Sequence, residues 1–180
     1  LATLPCHIAI GHTRYSTTVS SQVANAQPIL VDSGNGKLAL AHNGNIVNSI
    51  ALREELSARH CEFQTTSDSE VIAHLIATAP EKEMLGRIRY AMKRLQGAYS
   101  LVMLTNDSLM AVRDPMGVRP LCLGTYDGGW VVASETCALD HIGAKFIKEV
   151  APGEIVTINR DGYSTSAEPA NRQALCIFEY

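Results

Sequence analysis

Lys37-Leu38-Ala39-Leu40-Ala41-His42-Asn43-Gly44-Asn45-Ile46 is the stretch on which the reading of the chain turns. The alternation from Lys37 to Ala41 is that of a half-buried strand. An Asn-Gly pair is a tight-hairpin signal, because both residues tolerate positive φ. After Gly44, however, Ile46, Ile50, Leu52 and Leu56 recur at helical rather than alternate spacing. The pattern therefore predicts a strand-to-helix turn at Asn43-Gly44 and a helix from about Ile46 to near His60. Such a turn can aim a carboxamide and a backbone N–H at one spot, the arrangement that stabilises an oxyanion. The competing reading is an ordinary solvated turn.

Working outward, Cys6 to Gly11 has a short strand pattern, and the hydroxyl-rich segment that follows, with His12 and Arg14, reads as a loop closing at Pro28. Ile29–Val31 and Leu38–Ala41 flank Asp32-Ser33-Gly34-Asn35-Gly36, which predicts a hairpin. A brief strand is expected at Cys61-Glu62-Phe63. Ser67 and Glu70 have capping-box spacing ahead of a helical stripe through Val71, Ile72, Leu75, Ile76 and Ala79. A second stripe runs from Met84 to Leu95 and stops at Gly97. Beyond Ala98 the chain reads as short strands parted by turn chemistry, at 99–105, 109–112, 121–124, 130–134, 145–150 and 154–159, with a short helix at 136–141. Strands, then two or three helices, then many strands predict an α+β fold with largely antiparallel sheets.

The bulk properties narrow the function classes. A chain of 180 residues with 46% hydrophobic content can build one real core. A net charge of −3 and a pI near 6.1 supply no electrostatic footprint for nucleic acid or an anionic membrane surface. No apolar run reaches the roughly 20 residues needed to span a bilayer. Five scattered cysteines without a C-x-x-C pair point away from a disulfide framework and toward a reducing, cytoplasmic setting. With no Met before Met84, and a strand-like run at 174–180 that stops abruptly, the sequence is expected to be a piece of a longer polypeptide, cut on both sides.

Three residue types suggest a binding chemistry. Arg14 in its loop could grip a carboxylate through two parallel hydrogen bonds, although a single Arg is more often a surface residue. Asp68, one residue past a helix N-cap, is favoured there by the helix dipole by about 0.3–1 kcal/mol, and a carboxylate held rigidly there could bind an ammonium group. Together they would hold the two ends of an α-amino acid, with Asn43 and Gly44 at its side-chain carbonyl. Cys6 and His7 are neighbours in an expected strand and would point to opposite faces, so they make a poor nucleophile–base pair. The other histidines and cysteines lack metal-ligand spacing. Arg113-Asp114-Pro115 with Gly117 and Arg119-Pro120 is expected to form a rigid turn with an internal Arg–Asp pair.

Gly11-His12-Thr13-Arg14-Tyr15-Ser16-Thr17, Ala41-His42-Asn43-Gly44, Thr66-Ser67-Asp68-Ser69-Glu70, the run from Ala111 to Leu121 and Pro152-Gly153-Glu154, in that order, resemble the glutaminase domain of the amidophosphoribosyltransferase family. Ala133-Ser134-Glu135 and Cys176-Ile177-Phe178-Glu179-Tyr180 favour that family over other class II glutamine amidotransferases. The resemblance covers nearly all of residues 1–180. It implies a four-layer α/β/β/α N-terminal-nucleophile hydrolase sandwich, incomplete at its N-terminus. It also implies a downstream phosphoribosyltransferase domain that takes ammonia from glutamine to phosphoribosylpyrophosphate, giving 5-phosphoribosylamine. Position by position, it assigns Arg14 to the glutamine carboxylate, Asp68 to its α-amino group, Thr17 to the pocket wall, and the Asn43 side chain and Gly44 N–H to the oxyanion hole. Cys176 matches a cysteine that ligates an iron–sulfur cluster in some members; Mg2+ would serve the phosphoribosyltransferase domain, and the full-length protein is expected to form homo-oligomers. The family's nucleophile is a cysteine at the mature N-terminus, upstream of Leu1, and Cys6 does not match it. Other class II amidotransferases, or a non-catalytic domain that binds glutamine or a partner, are the alternatives.

Overall fold

The computed structural model describes residues 6–13, 23–34, 36–167 and 174. Among them, strands β1 (Ile29–Asp32) and β2 (Lys37–Ile46) precede helices α1 (Ser49–Ala58), α2 (Asp68–Ala77) and α3 (Met84–Arg94). Strands β3 (Gly97–Leu104), β4 (Leu109–Arg113), β5 (Cys122–Tyr126) and β6 (Gly129–Ala133) follow, then α4 (Thr136–His141), β7 (Lys145–Glu149), β8 (Glu154–Asn159) and β9 (Gly162–Ala167). The strand pairings among the described residues are all antiparallel, in a six-stranded sheet of order β1-β2-β3-β4-β8-β9 and a three-stranded sheet of order β6-β5-β7.

The two faces of each strand explain the layers. Leu38, Leu40 and Ile46 of β2, with Tyr99, Leu101 and Met103 of β3, share a core with Leu52 and Leu56 of α1, Ile72, Leu75 and Ile76 of α2, and Ile88 and Met92 of α3. Leu109 and Ala111 of β4, Val156 and Ile158 of β8 and Leu123 of β5 fill the space between the sheets, joined by Trp130 and Val132 of β6. On the far side, Cys122 of β5 packs with Leu139 of α4 and with Val131 and Ala133 of β6. Successive strand residues thus feed different cores, and the order helices, sheet, sheet, helix is the expected α/β/β/α sandwich. Full burial of a Leu or Ile side chain contributes about 1.5–3 kcal/mol, so the helix-side core, the larger of the three, dominates stability.

Several local expectations are corrected. The Asn43-Gly44 pair is not a strand-to-helix turn: β2 runs on to Ile46 and pairs with β3 in unbroken register, Asn43 opposite Ser100 and Gly44 opposite Tyr99. The chain turns at Val47-Asn48, and α1 starts at Ser49. The apolar spacing misled because Ile46 belongs to the core face of the strand while Ile50 lies 74% exposed. Cys6–Gly11 and Cys61–Phe63 form no strand among the described residues. The latter lies in a loop tied down by side chains. Ser67 does cap α2, but its Oγ accepts from the Ser69 N–H, and Glu70 reaches past it to the N–H groups of Gln64 and Thr65, both at 2.8 Å. The internal Arg113–Asp114 pair is also replaced. Buried Arg113 pairs with Glu149 at 2.6 Å and donates to the carbonyls of Gly117, Arg119 and Val150, while Asp114 accepts the N–H groups of Met116 and Val118. Polar, exposed β9 carries no apolar signature and was not legible in the sequence.

Candidate active site

β1 covers only part of the outer edge of β2. Its register pairs Ile29 with Leu40 and ends there, so from Ala41 to Ile46 that edge has no strand beside it among the described residues. Side chains take over. The Gln27 carboxamide oxygen accepts the His42 N–H at 2.6 Å, and the Asp68 carboxylate Oδ2 accepts the Ile46 N–H at 3.1 Å. In an antiparallel strand alternate N–H groups face the same edge. The Gly44 N–H, midway between these two, therefore faces away from β3 and toward the open edge.

Gly44 is required where it stands. Its φ of +149° and its approach to β3 leave no room for a side chain: a Cβ would lie 2.1 Å from the Ala98 carbonyl oxygen. The close approach is reciprocal, because Gly97 across the strand pair has φ +132° and would put a Cβ 2.2 Å from the Asn45 carbonyl oxygen. Asn43, one residue earlier, points to the opposite face from His42 and lies half-buried opposite Ser100, whose hydroxyl donates to the Arg119 carbonyl.

Asp68 is delivered to this edge by the start of α2, with Ser67 as N-cap. The preceding loop is rigid for identifiable reasons. Buried Glu70 accepts three hydrogen bonds at 2.8 Å, from the Gln64 and Thr65 N–H groups and the Thr65 hydroxyl. Arg53 of α1 stacks 4.2 Å from the Phe63 ring centroid and donates to the Thr65 and Ser67 carbonyls. The Thr66 N–H donates to Asn25, linking this loop to the segment that carries Gln27. Burial opposes ionisation of Asp68, but the His42 ring and the N–H groups of Ile46 and Ser69 outweigh it and hold the carboxyl below the usual carboxylate range. The site is therefore a half-open strand edge with an ionised carboxylate, a backbone N–H and a carboxamide within a few residues. That is a set of groups suited to an ammonium and a developing oxyanion.

Comparison with known proteins places this geometry. The family model of the glutamine amidotransferase domain matches residues 12–141. The chain belongs to the glutamine amidotransferase domain family. It is 49% identical over 180 residues to the amidophosphoribosyltransferase of Synechococcus elongatus, a match spanning 96% of the chain and 36% of that protein. Similarity extends to solved structures. The glutamine phosphoribosylpyrophosphate amidotransferase from B. subtilis, complexed with ADP and GMP, superposes with a TM-score of 0.86 at 40% identity, over 94% of this chain and 37% of that one. A structure described as the allosteric regulatory enzyme of purine biosynthesis gives 0.88 at 41%, over 94% and 37%. The chain thus spans little more than a third of the length of these relatives.

Within this glutamine amidotransferase domain, Asn43, Gly44 and Asp68 are brought together around one strand edge. Arg14, Thr17 and Cys176 lie outside the described residues. No group of three or more His, Cys, Asp or Glu side chains able to hold a metal ion occurs among the described residues. Sequence reasoning missed two participants. Gln27 gave no signal beyond its place before Pro28. His42 lacks metal-ligand spacing and so drew no role, although its position directly before Asn43-Gly44 on the Leu38/Leu40 face puts a polar ring in an otherwise apolar row.

Proposed function

We propose that this chain is the glutaminase portion of an amidophosphoribosyltransferase, hydrolysing glutamine and supplying ammonia to phosphoribosylpyrophosphate in the first step of purine synthesis. The observation that carries this reading is the placement of Asp68 across the open edge of β2, with one oxygen on the Ile46 N–H, two residues from Gly44. Asp68 receives the α-ammonium of glutamine, while Arg14 and Thr17 receive the carboxylate and line the pocket. The side-chain carbonyl then meets the Gly44 N–H and the Asn43 carboxamide N–H.

The attacking group is a cysteine thiolate outside these 180 residues, as the family resemblance implies. Its sulfur adds to the carboxamide carbon, and the negative charge moves to the carbonyl oxygen, where Asn43 and Gly44 stabilise it. The C–N bond breaks as the nitrogen takes a proton, ammonia leaves, and water cleaves the thioester to release glutamate. The backbone N–H is pinned by the Gly44–Tyr99 register and does not reorganise during reaction. Mg2+ acts with the phosphoribosyltransferase domain of the same reading, and the working protein is a cytoplasmic homo-oligomer.

The test is Asn43→Ala in the full-length protein. Loss of one oxyanion donor should lower glutaminase turnover about 10²–10³-fold with a small change in KM, while activity with free ammonia survives. Near-normal glutaminase turnover would overturn the assignment.

A further inference from the structure

We propose that His42 is the positioning residue for Asp68, and through it sets recognition of the ligand's ammonium group. This rests on the reading of Asp68 given above and adds a residue to it. His42 sits on the helix-side face of β2, in line with Leu38, Leu40 and Ile46, where an aliphatic side chain would extend the core. Its side chain is only 1% exposed, so it lies beneath the site rather than in it. Its Nε2 is buried without a hydrogen-bond partner among the described residues. An unpaired polar atom at such a place is unfavourable, and a leucine would avoid it.

The other ring nitrogen accounts for the choice. Nδ1 lies 3.3 Å from the Ser69 hydroxyl and 3.7 Å from Asp68 Oδ1. With no acceptor at Nε2, the ring proton belongs on Nδ1, aimed at the first turn of α2. Asp68 Oδ2 is already held by the Ile46 N–H. The carboxylate is therefore bonded at Oδ2 by the Ile46 N–H and faces the His42 ring with Oδ1, so one strand borders it on both sides, His42 beneath and Ile46 beyond. The His42 backbone is itself anchored by Gln27 at 2.6 Å. The carboxylate can then present its outward lone pairs to an ammonium without losing side-chain freedom on binding.

The test compares glutamine with glutaramate, the analogue that lacks the α-amino group, as substrates of the full-length enzyme. The wild type should favour glutamine, and Asp68→Ala should abolish that preference. His42→Ala should lower kcat/KM for glutamine about tenfold or more, because a small misplacement of a binding carboxylate is costly in rate, and leave kcat/KM for glutaramate nearly unchanged. Equal losses on both substrates, with Asp68→Ala behaving as expected, would mean that His42 is only a packing residue and would overturn the proposal alone. Retained preference in Asp68→Ala would overturn the reading of Asp68 and this proposal together. If His42→Ala does not fold, His42→Asn and His42→Gln decide. An Asn carboxamide places an N–H near the Nδ1 position and should keep the preference, whereas Gln reaches toward Nε2 and should lose it. Equal preference in the two variants would overturn the proposal.

Discussion

The carboxylate of Asp68 accepts the backbone N–H of Ile46 at 3.1 Å, tying the first residue of α2 to the last residue of β2. The His42 ring beside the carboxylate, with this bond and the Ser69 N–H, makes stability depend on pH in a definite sense. The folded carboxyl lies below its unfolded value near 3.8, so its stabilisation is complete above that value and is lost as pH falls through the folded one. The difference in unfolding free energy between wild type and Asp68→Asn should be flat from about pH 7 to about pH 5 and shrink below about pH 4. Urea unfolding across that range measures it. A difference that grows on acidification would contradict the assignment.

Gly44→Ala should disrupt the strand edge itself. The Cβ meets the Ala98 carbonyl oxygen at 2.1 Å, and the +149° φ is unfavourable for any L side chain. A destabilisation of at least about 1–3 kcal/mol is expected from the backbone conformation alone. Thermal unfolding would show the loss, and amide exchange should rise first in the paired segments Asn43–Ile46 and Gly97–Ser100. Wild-type stability would mean that β2 can separate from β3 here without cost.

Glu70→Gln preserves shape but turns one acceptor oxygen into an NH2 group facing a backbone N–H of Gln64 or Thr65. The expected cost is about 1–3 kcal/mol. Because this loop carries Asp68, KM for glutamine should rise more than kcat falls. Steady-state kinetics with a denaturation curve on the same variant checks both.

Arg113→Lys keeps the charge and loses the fork. Arg113 donates to the Gly117, Arg119 and Val150 carbonyls and to Glu149, a fan of acceptors that one ammonium cannot serve. A loss of about 2–3 kcal/mol is expected in thermal unfolding, comparable to one hydrogen bond to a charged group.

Burial pushes the Cys122 thiol up to about 11, and its Sγ–H donates to the Ala133 carbonyl. Alkylation of the native protein near neutral pH should spare Cys122 and modify it only after denaturation. Rapid native labelling would indicate that α4 opens from β5.

The sequence by itself determined the architecture. Its alternating runs and its helical stripes, which stop at Gly and Pro, give an α+β layout with largely antiparallel sheets from local pattern, and the family resemblance adds the stacking of two sheets between helices. Motif order likewise marked Asn43, Gly44 and Asp68 as candidates. Only the tertiary structure decided that Asn43-Gly44 lies inside a strand. That outcome depends on β3 arriving from more than fifty residues away with Gly97 opposite Ile46, a pairing that periodicity cannot encode. The same holds for His42. Its spacing fits a core position as well as a functional one, and what separates them is the arrival of Asp68 and Ser69 at its Nδ1 while Nε2 stays unpaired. A hydrogen bond between distant segments is made by packing, and packing is settled only when all the layers close together.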